Sequence, residues 1–201
     1  YRNERFVFLR EIFQNAVDAS KKEYWLEWLG SRWRKEGIEQ CEDYLSPYAY
    51  PIEIEFHLAV REKYGKEISL LDSREEYEQY GERIKNGIFG VIVKMTDYGT
   101  GISKSDILEI TKVGSTYNKD RKPWKDMPSW LQTTGEFGIG LQTVFLVADS
   151  FTAQTNVRNG ERYKLEFHET GEKGNGFINV TPVDEADDTA MRSFGTCFEI
   201  F

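Results

Sequence analysis

Cysteine is scarce in this chain. Only Cys41 and Cys197 occur among 201 residues, and they lie far apart. That spacing excludes a disulfide framework and a cysteine metal knuckle, and it fits a reducing compartment. No apolar run approaches the ~20 residues that a membrane-spanning helix needs. No secretory leader pattern opens the sequence. A cytoplasmic location without a membrane partner is therefore expected. Positive charge is in deficit, with 26 Lys and Arg against 34 Asp and Glu, a net charge of −8. That balance disfavours a general nucleic-acid surface. Repeats and low-complexity tracts are absent.

What is present is ordinary for a globular protein: 39% hydrophobic and 30% charged residues. A length of 201 residues gives one domain with ample chain for a core. The sequence opens at Tyr1 and stops inside the strand-like TCFEIF, so residues 1–201 are expected to be one domain excised from a longer protein.

Residues 4–20 have helical periodicity, with Phe6, Leu9, Phe13 and Ala16 as the apolar stripe and Ile12 and Val17 at its edges. The helix is expected to continue, with a break, into a packing stripe of Trp25, Trp28, Leu29 and Trp33. IEIEFHLAV (52–60) alternates strictly and predicts a half-buried strand, with Ile52, Ile54, Phe56, Leu58 and Val60 inward and His57 toward solvent. Residues 66–87 are polar; Ser73 and Glu76 there match a capping box before a short surface helix. GVIVKMTD (90–97) is nearly continuously apolar and reads as a central strand. Residues 103–134 have little periodic apolar pattern and read as a long, loosely held connection. A helix is expected at 139–148. FTAQTNV, RYKLEFHE, GFINVTP and GTCFEIF then read as strands, with a hairpin turn around Asn159–Gly160. The order implies an α+β sandwich, a largely antiparallel sheet with helices on one face.

Three clusters carry chemistry. In LREIFQNAVDAS, Glu11, Asn15 and Asp18 fall at i, i+4 and i+7, within roughly 60° of one another on a helix. They are oxygen ligands with no cation between them. A solvated face is the bland reading. The sharper one is a site for a hard cation such as Mg²⁺, with a carboxylate to activate water. DYGTGIS follows the central strand; its Asp97 can accept from an exocyclic amine, and its glycines let a planar ring lie on the backbone. Finally, GEFGIG (135–140) opens the helix expected at 139–148. Glycines there serve either as a tight cap or as a phosphate cradle at a helix N-terminus. The downstream Gly195–Thr196 pair can place a hydroxyl beside these groups.

In that order the three motifs resemble those of the ATPase superfamily of DNA gyrase, heat-shock protein 90, histidine kinases and MutL, whose fold is the Bergerat sandwich. YRNERFVFLREIFQNAVDAS and GEFGIGLQTVFLVADSFTAQT are most similar to the heat-shock protein 90 branch. The chain departs from that branch at Ile102, where the branch has methionine, and in a longer segment around 66–87. The resemblance implies ATP and Mg²⁺ as cofactors. Glu11 would be the general base and Asn15 the Mg²⁺ ligand. Asp97 would hold the adenine amino group, with Asp18, Gly101, Ile102 and Thr196 lining the base. Gly135, Phe137, Gly138, Ile139 and Gly140 would meet the phosphates. Residues 103–134 would form a lid from which Ser115, Thr116 or Lys119 reaches the nucleotide. The implied partners are ATP and ADP, further domains of the same protein and a second copy in a homodimer. A histidine-kinase-type phosphotransfer domain and a nucleotide sensor without turnover remain open alternatives.

Overall fold

The computed structural model describes residues 6–30, 50–62, 68–71, 73–83, 87–110, 124–133, 140–158, 160–170, 176–183 and 194–201. Its strands are β1 (Ile52–Glu62), β2 (Ile68–Leu70), β3 (Gly87–Asp97), β4 (Ser150–Asn156), β5 (Arg162–Glu169), β6 (Gly176–Pro182) and β7 (Gly195–Ile200). They form one sheet in the order β2-β1-β3-β7-β4-β5-β6, with every neighbouring pair antiparallel. The helices are α1 (Val7–Gly30), α2 (Arg74–Arg83) and α3 (Lys104–Ile110), with short 3₁₀ turns at Trp124–Asp126, Ser129–Leu131 and Gly140–Leu146. This is an antiparallel α+β architecture. β3 lies in the sheet interior, as its continuous apolar run requires.

The core lies between α1 and one face of the sheet. Phe8, Ile12 and Ala16 of α1 pack with Val144, Met95, Phe151, Ala153, Leu165, Phe198 and Ile200. Phe151 and Phe167 stack with ring centroids 4.3 Å apart. Register explains the set: Met95, Phe198, Ala153 and Leu165 stand opposite one another across β3, β7, β4 and β5, so one row serves four strands.

Two sequence expectations fail here. The helix does not break but runs unbroken from Val7 to Gly30. Of the expected apolar stripe, only Ala16 is buried and Leu9 partly so. Phe6 and Phe13 are 64% and 44% exposed, whereas Phe8, Ile12 and Ala16 are buried. At about 100° per residue, the buried line is turned some 80° from the stripe, toward Glu11, Asn15 and Asp18. Asp18 of the polar face is thus buried, while Glu11 and Asn15 are half-buried.

In β1 the alternation is real, but burial of the expected face is confined to its ends, at Ile52 and Val60. Ile54, Phe56 and Leu58 are 41%, 62% and 55% exposed, while Ala59 and Val60 are buried. The main core takes only the partly buried Ile52 from β1 among the described residues. His57 is half-buried and lies 3.2 Å from Glu55 Oε2, instead of facing solvent freely. The polar stretch at 66–87 supplies β2 and α2. The capping box at the start of α2 is formed: the Glu76 N–H donates to Ser73 Oγ, and the Ser73 N–H donates to Glu76 Oε2, both at 3.1 Å.

Residues 103–134 are not irregular throughout. Ser103 and Asp106 cap α3, with the Ser103 N–H donating to Asp106 Oδ2 at 3.0 Å. Further on, Met127 and Leu131 are buried against Tyr24 and Trp25 of α1, flanked by Tyr50, Trp124 and Trp130. The apolar residues of PWKDMPSWL follow no helical or strand period because two 3₁₀ turns present them. The helix expected at 139–148 is likewise a seven-residue 3₁₀ turn at Gly140–Leu146.

Candidate functional site

The site is built where β3 ends. Asp97 is buried, and in register it stands opposite Thr196 of β7, which in turn stands opposite Thr155 of β4. Three polar side chains therefore form a row across three strands, directly beyond the apolar row of Met95, Phe198 and Ala153. Thr155 Oγ1 accepts from the Ile102 N–H at 2.7 Å, lies 3.1 Å from Thr196 Oγ1, and donates to the Gly195 carbonyl at 3.3 Å. These bonds fix the turn after β3.

Close backbone approach explains the glycines of that turn. A Cβ on Gly99 would stand 2.4 Å from the carbonyl carbon of Ala19, so α1 seats directly against it. Gly101 has φ +70°, and a Cβ there would meet the Asn156 carbonyl oxygen at 2.3 Å. Gly195, at φ +119°, would put a Cβ 2.1 Å from the Asp97 carbonyl oxygen. Non-glycine residues at these two positions face both strain and collision.

The Asp97 carboxyl is pushed up to about 7, chiefly by burial, against the lowering effect of backbone N–H groups of Gly99 and Thr196. The Gly99 N–H donates to Oδ1 at 2.9 Å. Near neutral pH the group is therefore poised between donor and acceptor. A ligand amine would hold it in the charged, accepting form.

On α1, whose Ala19 backbone meets Gly99, Asp18, Asn15 and Glu11 lie on successive turns. Asp18 is buried and its Oδ1 accepts from Gln14 Nε2 at 3.2 Å. Asn15 and Glu11 lie beside Gly140. A Cβ on that glycine would sit 3.3 Å from Glu11 Oε2 and 3.5 Å from Asn15 Nδ2. Glu11 Oε1 accepts from both Arg10 Nη2 at 2.7 Å and Arg10 Nε at 3.1 Å. Lys22, one turn past Asp18, is desolvated enough to lower its ammonium pKa, against the attraction of Asp106 and Asp18. It lies 5.7 Å over the Trp124 ring.

The structure thus gathers Glu11, Asn15, Asp18 and Gly140 on the α1 side, and Asp97, Gly101, Ile102 and Thr196 on the sheet side. Ser115, Thr116, Lys119, Gly135, Phe137, Gly138 and Ile139 lie outside the described residues. Arg10, Lys22 and Thr155 escaped the sequence reading. A threonine in FTAQTNV signals only a good strand former, and nothing in the spacing marks its hydroxyl.

Among the described residues no cluster of three His, Cys, Asp or Glu could hold a metal by itself. Asn15 offers one hard amide oxygen beside the close-approach Gly140. That donor set fits Mg²⁺ only when phosphates and water complete its coordination.

No family model matches the chain. The chain is similar to a chaperone. Chaperone protein HtpG of Aliivibrio salmonicida (strain LFI1238) is 27% identical over 191 residues, covering 92% of this chain and 24% of that protein. Chaperone protein HtpG of Aliivibrio fischeri (strain ATCC 700601 / ES114) is 29% identical over 103 residues, covering 49% of this chain and 16% of its own length. The chain therefore spans about a quarter of the first relative's length. The likeness is distant.

Proposed function

We propose that this chain is the Mg²⁺-dependent ATP-binding and ATP-hydrolysing domain of a heat-shock protein 90-like ATPase, with the Bergerat type of α+β sandwich. The observation that carries this reading is the rotation of α1. On its polar face Asp18 is buried and Glu11 and Asn15 lie beside Gly140, when solvent exposure was the ordinary outcome for such a face. Asp97 accepts from the adenine amino group, and the turn at 99–102 lets the ring lie against the backbone. Asn15 and the phosphates share the Mg²⁺. Glu11 takes the proton of a water attacking the terminal phosphate. Distant similarity to HtpG supports the same reading. Closure around nucleotide then drives further domains of the same protein, and a second copy of the chain is the implied dimer partner.

One observation favours a second reading, a nucleotide sensor that turns over little. Both hydrogen bonds from Arg10 end on Glu11 Oε1 and so occupy one of the two oxygens of the proposed base. Hydrolysis requires Glu11 to act through Oε2 or to release Arg10.

The test separates binding from chemistry. Glu11→Ala is expected to keep ATP affinity within about threefold and to remove hydrolysis, because a general base acts on the water and adds little to ground-state binding. Equal turnover by Glu11→Ala and the parent chain would count against the mechanism. Binding without turnover in either would establish the sensor.

A further inference from the structure

Glu23 is the charged group that the proposed chemistry does not use. Its side chain is 1% exposed, yet it lies on α1 one turn beyond Ala19, the residue on which Gly99 seats. Its Oε1 is 2.6 Å from Arg158 Nε, and neither carboxylate oxygen makes a hydrogen bond of ordinary geometry. Burial pushes its carboxyl pKa up, with Arg158 pulling it down and Glu27 pushing it up. Arg158 is 42% exposed and its guanidinium lies 4.3 Å over the Phe194 ring.

The three residues come from three different segments. Arg158 follows Asn156 by two residues, and the Asn156 carbonyl is what Gly101 packs on. Phe194 directly precedes Gly195, which packs on the Asp97 carbonyl. Glu23 belongs to the helix against which Gly99 seats. Glu23, Arg158 and Phe194 therefore link α1, the exit of β4 and the entry of β7, the segments at which Gly99, Gly101 and Gly195 make their close contacts.

A buried ion pair is poor evidence for stability, since an apolar pair of similar volume often serves as well. What this pair adds is a tie between segments: the buried Glu23 carboxylate has Arg158 as its opposite charge, and Arg158 in turn lies over Phe194. We propose that Glu23, Arg158 and Phe194 form a strut that positions the base-recognition turn, so that the pair sets affinity for the adenine ring without touching the reacting atoms. This rests on the nucleotide reading above.

The experiment replaces the pair with an apolar one, Glu23→Leu/Arg158→Leu, and compares it with Arg158→Lys and Glu23→Gln. Calorimetry with ATP and ADP gives Kd, steady-state turnover gives kcat, and amide exchange at Ile102 reports the turn. The apolar pair is expected to keep the melting temperature within a few degrees. Its Kd for both nucleotides should rise about tenfold with kcat at saturation unchanged, the pattern of lost ground-state binding. Ile102 exchange should quicken. Arg158→Lys, which keeps the charge, should fall between the parent chain and the apolar pair. If the apolar pair fails to fold, Glu23→Gln, nearly isosteric, carries the same expectations. Parent-like Kd and Ile102 exchange in the folded variants would overturn the strut and leave the nucleotide reading intact. Failure of the parent chain to bind either nucleotide would overturn both.

Discussion

Under the proposed nucleotide reading, Asp97 joins stability to recognition in one side chain. Its carboxyl is raised from an ordinary value of 3.8 to about 7 in the fold. A carboxyl raised on folding contributes stability below its unfolded pKa, and that contribution is lost as pH climbs through the folded pKa. Asparagine does not titrate. The stability of Asp97→Asn relative to the parent chain should therefore shift in the variant's favour between about pH 4 and pH 7 and level off above that. Chemical denaturation of the empty proteins across this range measures it. A constant difference would mean that Asp97 is not charged at neutral pH at the expense of folding. Thr155 offers the complementary case. Thr155→Val removes the acceptor of the Ile102 N–H while keeping the shape, and leaving that buried donor unpaired should cost about 1–3 kcal/mol in denaturant unfolding.

At the scale of elements, the segment between the two glycine motifs changes character once its packing is visible. Low periodicity in 103–134 reads as a loose lid, but Met127 and Leu131 are anchored on Tyr24 and Trp25. Residues 124–133 should thus be protected from hydrogen exchange in the empty protein. Leu131→Ala should cost about 2–5 kcal/mol, as expected for a buried leucine. Rapid exchange of the 124–133 peptides without nucleotide would contradict that anchoring. Any nucleotide-driven lid movement has to hinge around this block. The elements themselves were largely legible. The strand patterns of β3, β4, β5, β6 and β7 and the capping box of α2 follow from local residue choice, and the structure has them. The face of a helix is another matter. Periodicity shows that α1 has an apolar side, but tertiary contacts chose Phe8 over Phe6 and Phe13. A local pattern cannot register that choice.

Over the whole molecule, the same limit governs the sheet. Strict alternation in β1 marks which side chains share a face, and the register agrees: Ile54 opposes Met95, Phe56 opposes Val93 and Leu58 opposes Val91. Alternation says nothing about whether a helix covers that face. Phe56→Ser should therefore shift stability by no more than about 0.5 kcal/mol, whereas Leu165→Ala, at a position with no exposed surface, should cost about 2–5 kcal/mol. The candidate site shows the limit from the other side. Glu11, Asn15, Asp18, Asp97 and the turn glycines could be read from motif spacing. Lys22, Thr155 and the Glu23–Arg158 pair could not, because their contacts join separate elements.

The central claim is that Asp97 recognises an adenine ring at the end of β3. The most direct measurement is calorimetric titration of the parent chain and Asp97→Asn with ATP and GTP in the presence of Mg²⁺. The parent chain should bind ATP and not GTP, because guanine turns a carbonyl oxygen toward a carboxylate that needs a donor. Asp97→Asn should bind neither. ATP binding of equal strength in the variant and the parent chain, or GTP binding as tight as ATP, would contradict the account.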